Sequence, residues 1–322
     1  MRLSGATLFL VGTVLVSACS VRPGDPLRRH GDEISVCGQL FHTGTDVVLW
    51  YDPGGYDAYR TDLRFPDEVS ETQRQRLPKG LRYSPFRTRL KEAMLTRITL
   101  RGWTLPELQE TVAQFVIHYD VCGTSRRCFK VLQDRRGLSV HFMLDVDGTI
   151  YQTLDLKERA WHAGAANDRS VGVEIAHIGA YSKPDSKVLA EWYRRDSEGI
   201  RVRFPETIKE TGIRTKDFVA RPARNQMVVG FVQGRRLYQY DFTEEQYHAL
   251  AHLVAALTRV FPKLELDYPR AKDGTLRRDA LERDKLESYC GLLGHYHVTT
   301  RKIDPGPAFD WNRLLRKARS LR

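Results

Sequence analysis

A series of strand-like segments between residues 115 and 176 constrains the fold of this chain more than any other feature. Residues 115–117 form a short apolar run, which is typical of a buried strand, and this strand delivers His118 at its end. Residues 139–144 and 149–153 form two alternating runs, and the Asp-rich turn between them predicts a hairpin.

A further strand is predicted at residues 170–176. Because side chains alternate between the two faces of a strand, Val171, Val173 and Ile175 lie on one face. Gly172 and Glu174 are left on the other face. Glu174 is therefore predicted to be a carboxylate inside a strand.

The chain around these strands divides into an N-terminal part and a main domain. Residues 37–107 have an extended start followed by polar, helix-forming stretches, and we expect an extension that packs on the main domain; a separate binding module is the alternative. The main domain is predicted at residues 108–316, with a basic insertion at about residues 178–236. Within the insertion we expect a helix at residues 186–195 and a hairpin near residue 233.

A helix is predicted after the insertion. Thr243 and Gln246 have the spacing of a capping box, in which each side chain bonds the other residue's backbone N–H. The apolar residues that follow recur every three or four positions, which predicts a helix with one face on the core.

The first residues indicate export. Residues 3–16 are an apolar run too short to span a bilayer, which needs about 20 residues, so residues 1–18 are predicted to be a signal peptide. The residues before Cys19 are small, as in the lipobox of bacterial lipoproteins, so we expect a lipid on Cys19 and a linker at residues 19–36. Ser20 favours the outer membrane, facing the periplasm. An ordinary signal peptide with a chance cysteine and an uncleaved anchor are the alternatives.

Export gives the remaining cysteines an oxidising compartment. Cys122 and Cys128 are separated by a short, flexible loop, which predicts a disulfide between them. Cys37 and Cys290 could form a second bridge or remain two free thiols.

The formal net charge of +11 favours an anionic partner: nucleic acid, membrane headgroups or an acidic wall polymer. The sequence contains no arginine-rich tract and no recognisable nucleic-acid module, so nucleic acid is not expected as a partner.

Three residues of the main domain have the chemistry of a metal site. His118 ends a buried strand, which is where open α/β sheets place their sites, and His295 follows Gly294 near the C-terminus. Asp304 precedes a rigid Pro-Gly-Pro turn that can fix the direction of its carboxylate. Two imidazoles and one carboxylate leave the fourth position of a tetrahedral zinc open, as in catalytic zinc sites.

Several short motifs that include these residues follow one another along the chain. They are Phe-Val-Ile-His at 115–118, Ser-Val-His-Phe at 139–142, Asp-Gly-Thr-Ile-Tyr-Gln at 147–152, Ala-Trp-His-Ala-Gly at 160–164, Ser-Val-Gly-Val-Glu at 170–174, Gly-His at 294–295 and Arg-Lys-Ile-Asp-Pro-Gly-Pro-Ala-Phe-Asp-Trp at 301–311. In this order they resemble the type-2 N-acetylmuramoyl-L-alanine amidase family, which includes phage amidases and peptidoglycan-recognition proteins. The resemblance covers about residues 110–180 and 240–316.

The resemblance implies an α/β fold with a mixed, mainly parallel central sheet flanked by helices. It also implies zinc-dependent hydrolysis of the amide between N-acetylmuramic acid and L-alanine in peptidoglycan or muropeptides, by a protein that we expect to be a monomer. Two alternatives are a module that binds muropeptides without cleaving them and a zinc peptidase that cuts within the stem peptide.

Carried over to this sequence, the resemblance implies zinc ligands at His118, His295 and Asp304. Glu174 corresponds to the base that activates water, and Lys302 to the group that stabilises the oxyanion. The chemistry suits an amide, whose carbonyl is poorly electrophilic and whose amine leaves badly.

The second histidine ligand is open to two assignments. The family often has Gly-His-x-Asp and one more residue before the lysine, whereas this chain has Gly294-His295-Tyr296-His297 and a shorter gap. We predict that His295 is the ligand, and His297 is the alternative.

The other histidines have different expected roles. His162 is predicted either to line the substrate groove or to cap the backbone of its loop, and His141 is predicted to be a structural core residue. His248 and His252 lie opposite the apolar stripe of their helix, so we expect both to face solvent.

Overall fold

The structure of the chain is a computed structural model that describes residues 22–74 and 79–322. The strands in this part of the chain are, in order, β1 Glu33–Val36, β2 Gln39–His42, β3 Val47–Leu49, β4 Tyr83–Ser84, β5 Gln114–Tyr119, β6 Phe142–Leu144, β7 Ile150–Gln152, β8 Arg159–Ala160, β9 Ser170–Ile175, β10 Tyr193–Asp196, β11 Gly199–Val202, β12 Val228–Val232, β13 Arg235–Gln239 and β14 Gly291–Gly294. The helices are α1 Glu71–Arg74, α2 Glu92–Arg101, α3 Leu105–Thr111, α4 Ser125–Phe129, α5 Lys187–Trp192, α6 Glu244–Val260, α7 Arg283–Ser288, α8 His295–Val298 and α9 Trp311–Ser320. Two 3-10 helices, Pro66–Glu68 and Gly164–Ala166, and a π-helix, Lys130–Arg136, lie among them.

Six strands form one central sheet in the order β14-β5-β9-β6-β7-β3. The pairs β14–β5, β5–β9, β9–β6 and β7–β3 are parallel, and β6–β7 is the antiparallel hairpin predicted around residues 145–148. The prediction of a mixed, mainly parallel sheet flanked by helices is therefore confirmed. Because β3 belongs to this sheet, residues 31–322 form one compact unit. A second unit comprises Met1–His30, and its described part, residues 22–30, contains no helix or strand.

The two faces of the sheet have different surroundings. Val171, Val173 and Ile175 of β9 belong to the main core cluster with Leu253 and Leu257 of α6. Each fully buried side chain of this size contributes roughly 1.5–3 kcal/mol. The opposite face of the sheet carries the alternate residues of each strand, such as Gly172 and Glu174 of β9, and is not covered by α6.

The helix predicted from Thr243 is present as α6, and its capping box is confirmed because the Thr243 side chain accepts a hydrogen bond from the Gln246 backbone N–H. The predicted hairpin near residue 233 is also present as β12 and β13. The helix predicted at residues 186–195 is wrong over its last three residues. α5 ends at Trp192, and β10 then pairs antiparallel with β11, so cross-strand pairing replaces the helix.

The four cysteines in the described residues are free thiols, so the predicted disulfide between Cys122 and Cys128 is wrong for this structure. Both side chains are buried in the same apolar cluster. The hydrogen bond with Cys122, together with burial, raises the pKa of the Cys128 thiol. Cys37 and Cys290 are partly buried free thiols, the second of the two outcomes left open.

The predicted signal peptide, residues 1–18, and Cys19 lie outside the described residues. Within residues 22–74 and 79–322, none of the helices combines the length and the hydropathy that crossing a membrane would require.

Arg87 links the predicted N-terminal extension to the main domain. Its buried guanidinium donates five hydrogen bonds to backbone carbonyls of residues 156–170. Burial lowers the pKa of Arg87 to about 10, so the group remains charged at neutral pH. One side chain therefore fixes the segment that contains His162 and Ser170.

Replacing Arg87 by alanine is expected to lower the free energy of unfolding by about 3–5 kcal/mol, because five buried carbonyl groups lose their donor. Urea denaturation measures this change. Arg89→Ala is the matched control, since Arg89 forms an exposed ion pair with Glu287, and it should change stability by less than about 1 kcal/mol. Equal effects of the two substitutions would contradict the assignment.

Candidate active site

The candidate site lies at the carboxyl ends of three neighbouring parallel strands, β14, β5 and β9. His118 of β5 is in register with Glu174 of β9, and Gly294 at the end of β14 is in register with Ile117. His295 follows directly as the first residue of α8. Register in a parallel sheet therefore places an imidazole, a second imidazole and a carboxylate side by side on the face away from α6.

Three side chains in this region meet at one point. His118 Nδ1 lies 2.9 Å from His295 Nδ1 and 3.0 Å from Asp304 Oδ2, and His295 Nδ1 lies 3.0 Å from the same oxygen. All three residues are at least nine-tenths buried. The structure thus brings together the three residues predicted as metal ligands.

Burial and charge set the protonation of this cluster. Burial, together with the neighbouring His295, lowers the pKa of His118 to about 4, so its imidazole is neutral at pH 7. Burial alone would raise the pKa of Asp304, but the electrostatic influence of His295 and the hydrogen bonds of both imidazoles hold it well below its usual range. A neutral imidazole and an ionised carboxylate are the forms that bind metals.

His162 contacts the far side of His118. Its Nδ1 lies 3.0 Å from His118 Nε2, and its Nε2 lies 3.3 Å from the Ser170 hydroxyl. If His118 donates from Nε2 to His162, its Nδ1 presents a lone pair to Asp304 and His295. The loop backbone is capped by another residue: the side-chain oxygen of Asn167 accepts from the backbone N–H groups of residues 162 and 163.

Gly172 gives His162 the space it occupies. A Cβ at position 172 would lie 2.4 Å from ring atoms of His162, closer than van der Waals contact permits. The Gly172→Ala variant is therefore expected to displace His162 and to reduce metal affinity by roughly 10–100-fold, the usual effect of losing a group that orients a metal-binding histidine. Competition with a fluorescent zinc chelator measures the affinity. Gly234→Ala is the control, because it places a Cβ where no atom lies within 4 Å, and although its φ of +68° strains the turn, it should leave metal affinity unchanged. Unchanged affinity in Gly172→Ala would contradict the orienting role of His162.

His297 points away from the cluster. Its Nδ1 accepts from the Gly294 N–H at 2.9 Å, and its Nε2 donates to the carbonyl of Arg277 at 2.8 Å. Both ring nitrogens are thus occupied by the backbone. The structure places His295, and not His297, beside His118 and Asp304.

The other histidines lie outside the cluster. His141 is fully buried, with Nε2 bonded to the Glu158 carbonyl and Nδ1 to the Gly172 N–H, as expected of a structural residue. His248 is exposed, as predicted, but His252 is partly buried because it bonds the carbonyl of Thr43 in the N-terminal part of the chain.

Glu174 and Lys302 line the same groove as His295 and Asp304. The Glu174 Oε2 atom is buried and has no hydrogen-bond partner among the described residues. Burial, and then the negative charge of Asp304, raise the pKa of Glu174 well above its usual range, while Lys302 acts in the opposite direction. A carboxylate of this kind is a strong proton acceptor once it is ionised.

Asp120 is a further carboxylate that the sequence analysis missed. Its Oδ1 accepts from three backbone N–H groups, those of residues 122, 123 and 177, and its Oδ2 is buried without a partner among the described residues. Burial raises the pKa of Asp120 to about 7. Its position two residues after His118, at the same strand end, is the signal that could have identified it.

The groove has a volume of about 680 Å³. Besides the cluster, its walls include Trp161, Arg136 and Arg301, none of which was predicted as a site residue. An aromatic side chain and two guanidinium groups suit a ligand that combines a sugar or peptide with carboxylates.

The cluster fits a zinc ion. Ligand atoms about 2.0–2.1 Å from a tetrahedral zinc lie roughly 3.3 Å from one another, and the three atoms here are separated by 2.9–3.0 Å. A cation bound at this point would take the place of the proton that a hydrogen bond between His118 Nδ1 and the Asp304 carboxylate requires. His118, His295 and Asp304 therefore have the donor types, the spacing and the charge to hold a divalent metal.

Solved structures resemble this one over part of the chain. The amidase AmiD of Escherichia coli, solved with the substrate anhydro-N-acetylmuramic acid-L-Ala-D-gamma-Glu-L-Lys, is 17% identical, with a TM-score of 0.36 over 64% of this chain and 57% of that chain. The endolysin N-acetylmuramoyl-L-alanine amidase LysCS of Clostridium intestinale is 13% identical, with a TM-score of 0.33 over 66% of this chain and 86% of that chain.

Sequence comparison gives the family. The 1,6-anhydro-N-acetylmuramyl-L-alanine amidase AmpD of Haemophilus influenzae is 21% identical over 179 residues, which are 55% of this chain and 57% of that protein, so the match spans less than two thirds of that relative's length. The family model for N-acetylmuramoyl-L-alanine amidase matches residues 108–307, which is more than half of the chain. The chain therefore belongs to the N-acetylmuramoyl-L-alanine amidase family.

Proposed function

We propose that the protein hydrolyses the amide between N-acetylmuramic acid and L-alanine in peptidoglycan or muropeptides, in a zinc-dependent reaction. The observation that carries the proposal is the meeting of His118, His295 and Asp304 within 3.0 Å. His295 and Asp304 line the same groove as Glu174 and Lys302. Membership of the amidase family supports the choice of bond.

Each part of the site has a role in this reaction. Zinc held by His118, His295 and Asp304 would supply Lewis-acid chemistry, which polarises a carbonyl and lowers the pKa of water to about 7. Glu174, with a buried oxygen that lacks a partner, takes a proton from the attacking water and then returns it to the departing alanine nitrogen.

Lys302 supplies positive charge to the same groove. An ammonium group stabilises the negative charge that develops on the carbonyl oxygen when water attacks an amide. His162 orients His118 and contributes to the wall of the groove, so it acts on the reaction through the ligand it contacts.

We further propose that the protein is exported and anchored to the outer membrane, facing the periplasm, through a lipid on Cys19. The support is the sequence of residues 1–20 alone. Cys19→Ala should release the protein from the membrane fraction of a bacterial lysate, and retention of the variant would contradict the anchor.

Incubation of the purified protein with defined muropeptides, with and without a zinc chelator, tests the proposed function. Mass spectrometry is expected to find free N-acetylmuramic acid and an intact stem peptide, only in the zinc-loaded sample. Shortened stem peptides would indicate a peptidase instead. Tight binding without any cleavage would indicate a recognition module, and both results would overturn the amidase assignment.

A further inference from the structure

A second cavity, of about 640 Å³, adjoins the catalytic groove, and Val131 contributes to the walls of both. Its walls come from three separate parts of the chain: residues 67–68, residues 126–135 and residues 207–210. The first of these belongs to the predicted N-terminal extension and the last to the predicted insertion. The two segments of unassigned role therefore meet beside the active site.

The walls of this second cavity carry more positive than negative charge. The cations are Arg126, Arg127, Lys130, Arg135 and Lys209, and the carboxylates are Asp67, Glu68 and Glu210. Glu68 pairs with Arg126 and Lys130, and Glu210 also pairs with Arg126. These pairs fix one side of the cavity and neutralise its charges.

Arg127 donates a hydrogen bond to the Cys122 carbonyl and lies over the Trp192 ring, so two cations of the cavity remain available. Arg135 and Lys209 are exposed, and across residues 22–74 and 79–322 neither has a carboxylate within 4.0 Å. Arg136, the neighbour of Arg135 in the π-helix, lines the catalytic groove itself. Positive charge therefore continues from the groove into the second cavity.

We propose that this second cavity is a subsite for carboxylates of the distal stem peptide, so that the protein prefers long stem peptides to short ones. The inference rests on the proposed amidase function. In the substrate the lactyl carboxyl of N-acetylmuramic acid is consumed in the scissile amide, whereas the D-glutamate, the diamino acid and the terminal D-alanine carry carboxylates. A basic cavity next to the groove thus matches the peptide arm, and not the glycan.

The double variant Arg135→Gln with Lys209→Gln tests the subsite. The quantity to compare is kcat/KM for a muramoyl-tetrapeptide divided by kcat/KM for muramoyl-L-Ala-γ-D-Glu. Because the variant loses two exposed charge contacts, this ratio should fall by about 5- to 10-fold. The matched control is Lys183→Gln with Arg194→Gln, which removes the same charges from exposed positions of the insertion outside the cavity. The control is expected to leave the ratio unchanged.

Calorimetric binding of the free tetrapeptide and of L-Ala-γ-D-Glu provides a readout that does not require catalysis. The cavity variant should weaken binding of the tetrapeptide by a similar factor, and less so at high salt, where screening already reduces the contact. Equal changes for both peptides, or equal changes in variant and control, would overturn the subsite. Absence of cleavage by the unaltered protein would instead overturn the amidase function, and the binding comparison would still decide on the cavity.

Discussion

Replacing His295 by alanine is expected to remove bound zinc and to reduce kcat/KM on a defined muropeptide by about 10³-fold or more. The reason is that the ring lies 2.9 Å from His118 and 3.0 Å from Asp304, so its loss removes one of the three converging ligand atoms. Lewis-acid stabilisation of the transition state is worth several kcal/mol, and about 4 kcal/mol corresponds to 10³ in rate. Zinc content per protein, measured by mass spectrometry of the metal, and steady-state kinetics check the prediction.

His297→Ala is the natural control for that variant. It removes a ring bonded to the Gly294 N–H and the Arg277 carbonyl, so it should lower the free energy of unfolding by about 2–4 kcal/mol. The folded fraction should retain zinc. A folded His297→Ala protein without zinc, or a His295→Ala protein that keeps it, would reverse the assignment of the second histidine.

Replacing Glu174 by glutamine is expected to lower kcat by about 10²–10⁴-fold while zinc content and stability stay close to those of the unaltered protein. The amide keeps the size of the carboxylate but is unable to take up a proton, and proton transfer by a positioned side chain contributes a factor of this order. The buried Oε2 atom has no partner among the described residues, so the substitution breaks no hydrogen bond at that atom.

The pH dependence of the unaltered enzyme supports the same test. Burial and Asp304 raise the pKa of Glu174, so the residue becomes protonated, and inactive as a base, at a higher pH than an ordinary glutamate. The acidic limb of the kcat profile should therefore disappear in Glu174→Gln. A variant with undiminished kcat, or with the acidic limb intact, would remove Glu174 from the proton transfer.

Strand periodicity in the sequence predicted much of this site. The apolar run before His118 and the alternating pattern around Glu174 predicted a strand for each residue. Parallel pairing of these two strands then places His118 and Glu174 in register. Asp304 was predicted from the rigid turn that follows it. These features depend on local backbone chemistry, which a sequence carries directly.

Other features depend on contacts between distant parts of the chain. The position of His295, rather than His297, beside His118 follows from how the turn of α8 directs each ring, and spacing alone left it open. Arg87 is separated by about 70–80 positions from the carbonyls it binds. The incorrect end of the helix predicted at residues 186–195 has a similar cause, since pairing of β10 with β11 overrides local helix propensity.

The N-terminal part of the chain shows the same limit. Its short extended start was readable, but its place at the edge of the central sheet beside β7 is set by tertiary pairing. Residues 67–68 and 207–210 both line the second cavity. Because these two segments are distant in sequence, their proximity could not be predicted from local patterns.

Anomalous X-ray scattering at the zinc edge, from crystals of the zinc-loaded protein, tests most directly whether His118, His295 and Asp304 bind one metal ion. The expected result is a single anomalous peak from one zinc ion bound by His118 Nδ1, His295 Nδ1 and Asp304 Oδ2, beside the groove that Glu174 and Lys302 line. A peak elsewhere in the protein, or no ion between these three side chains at saturating zinc, would contradict the zinc-dependent mechanism.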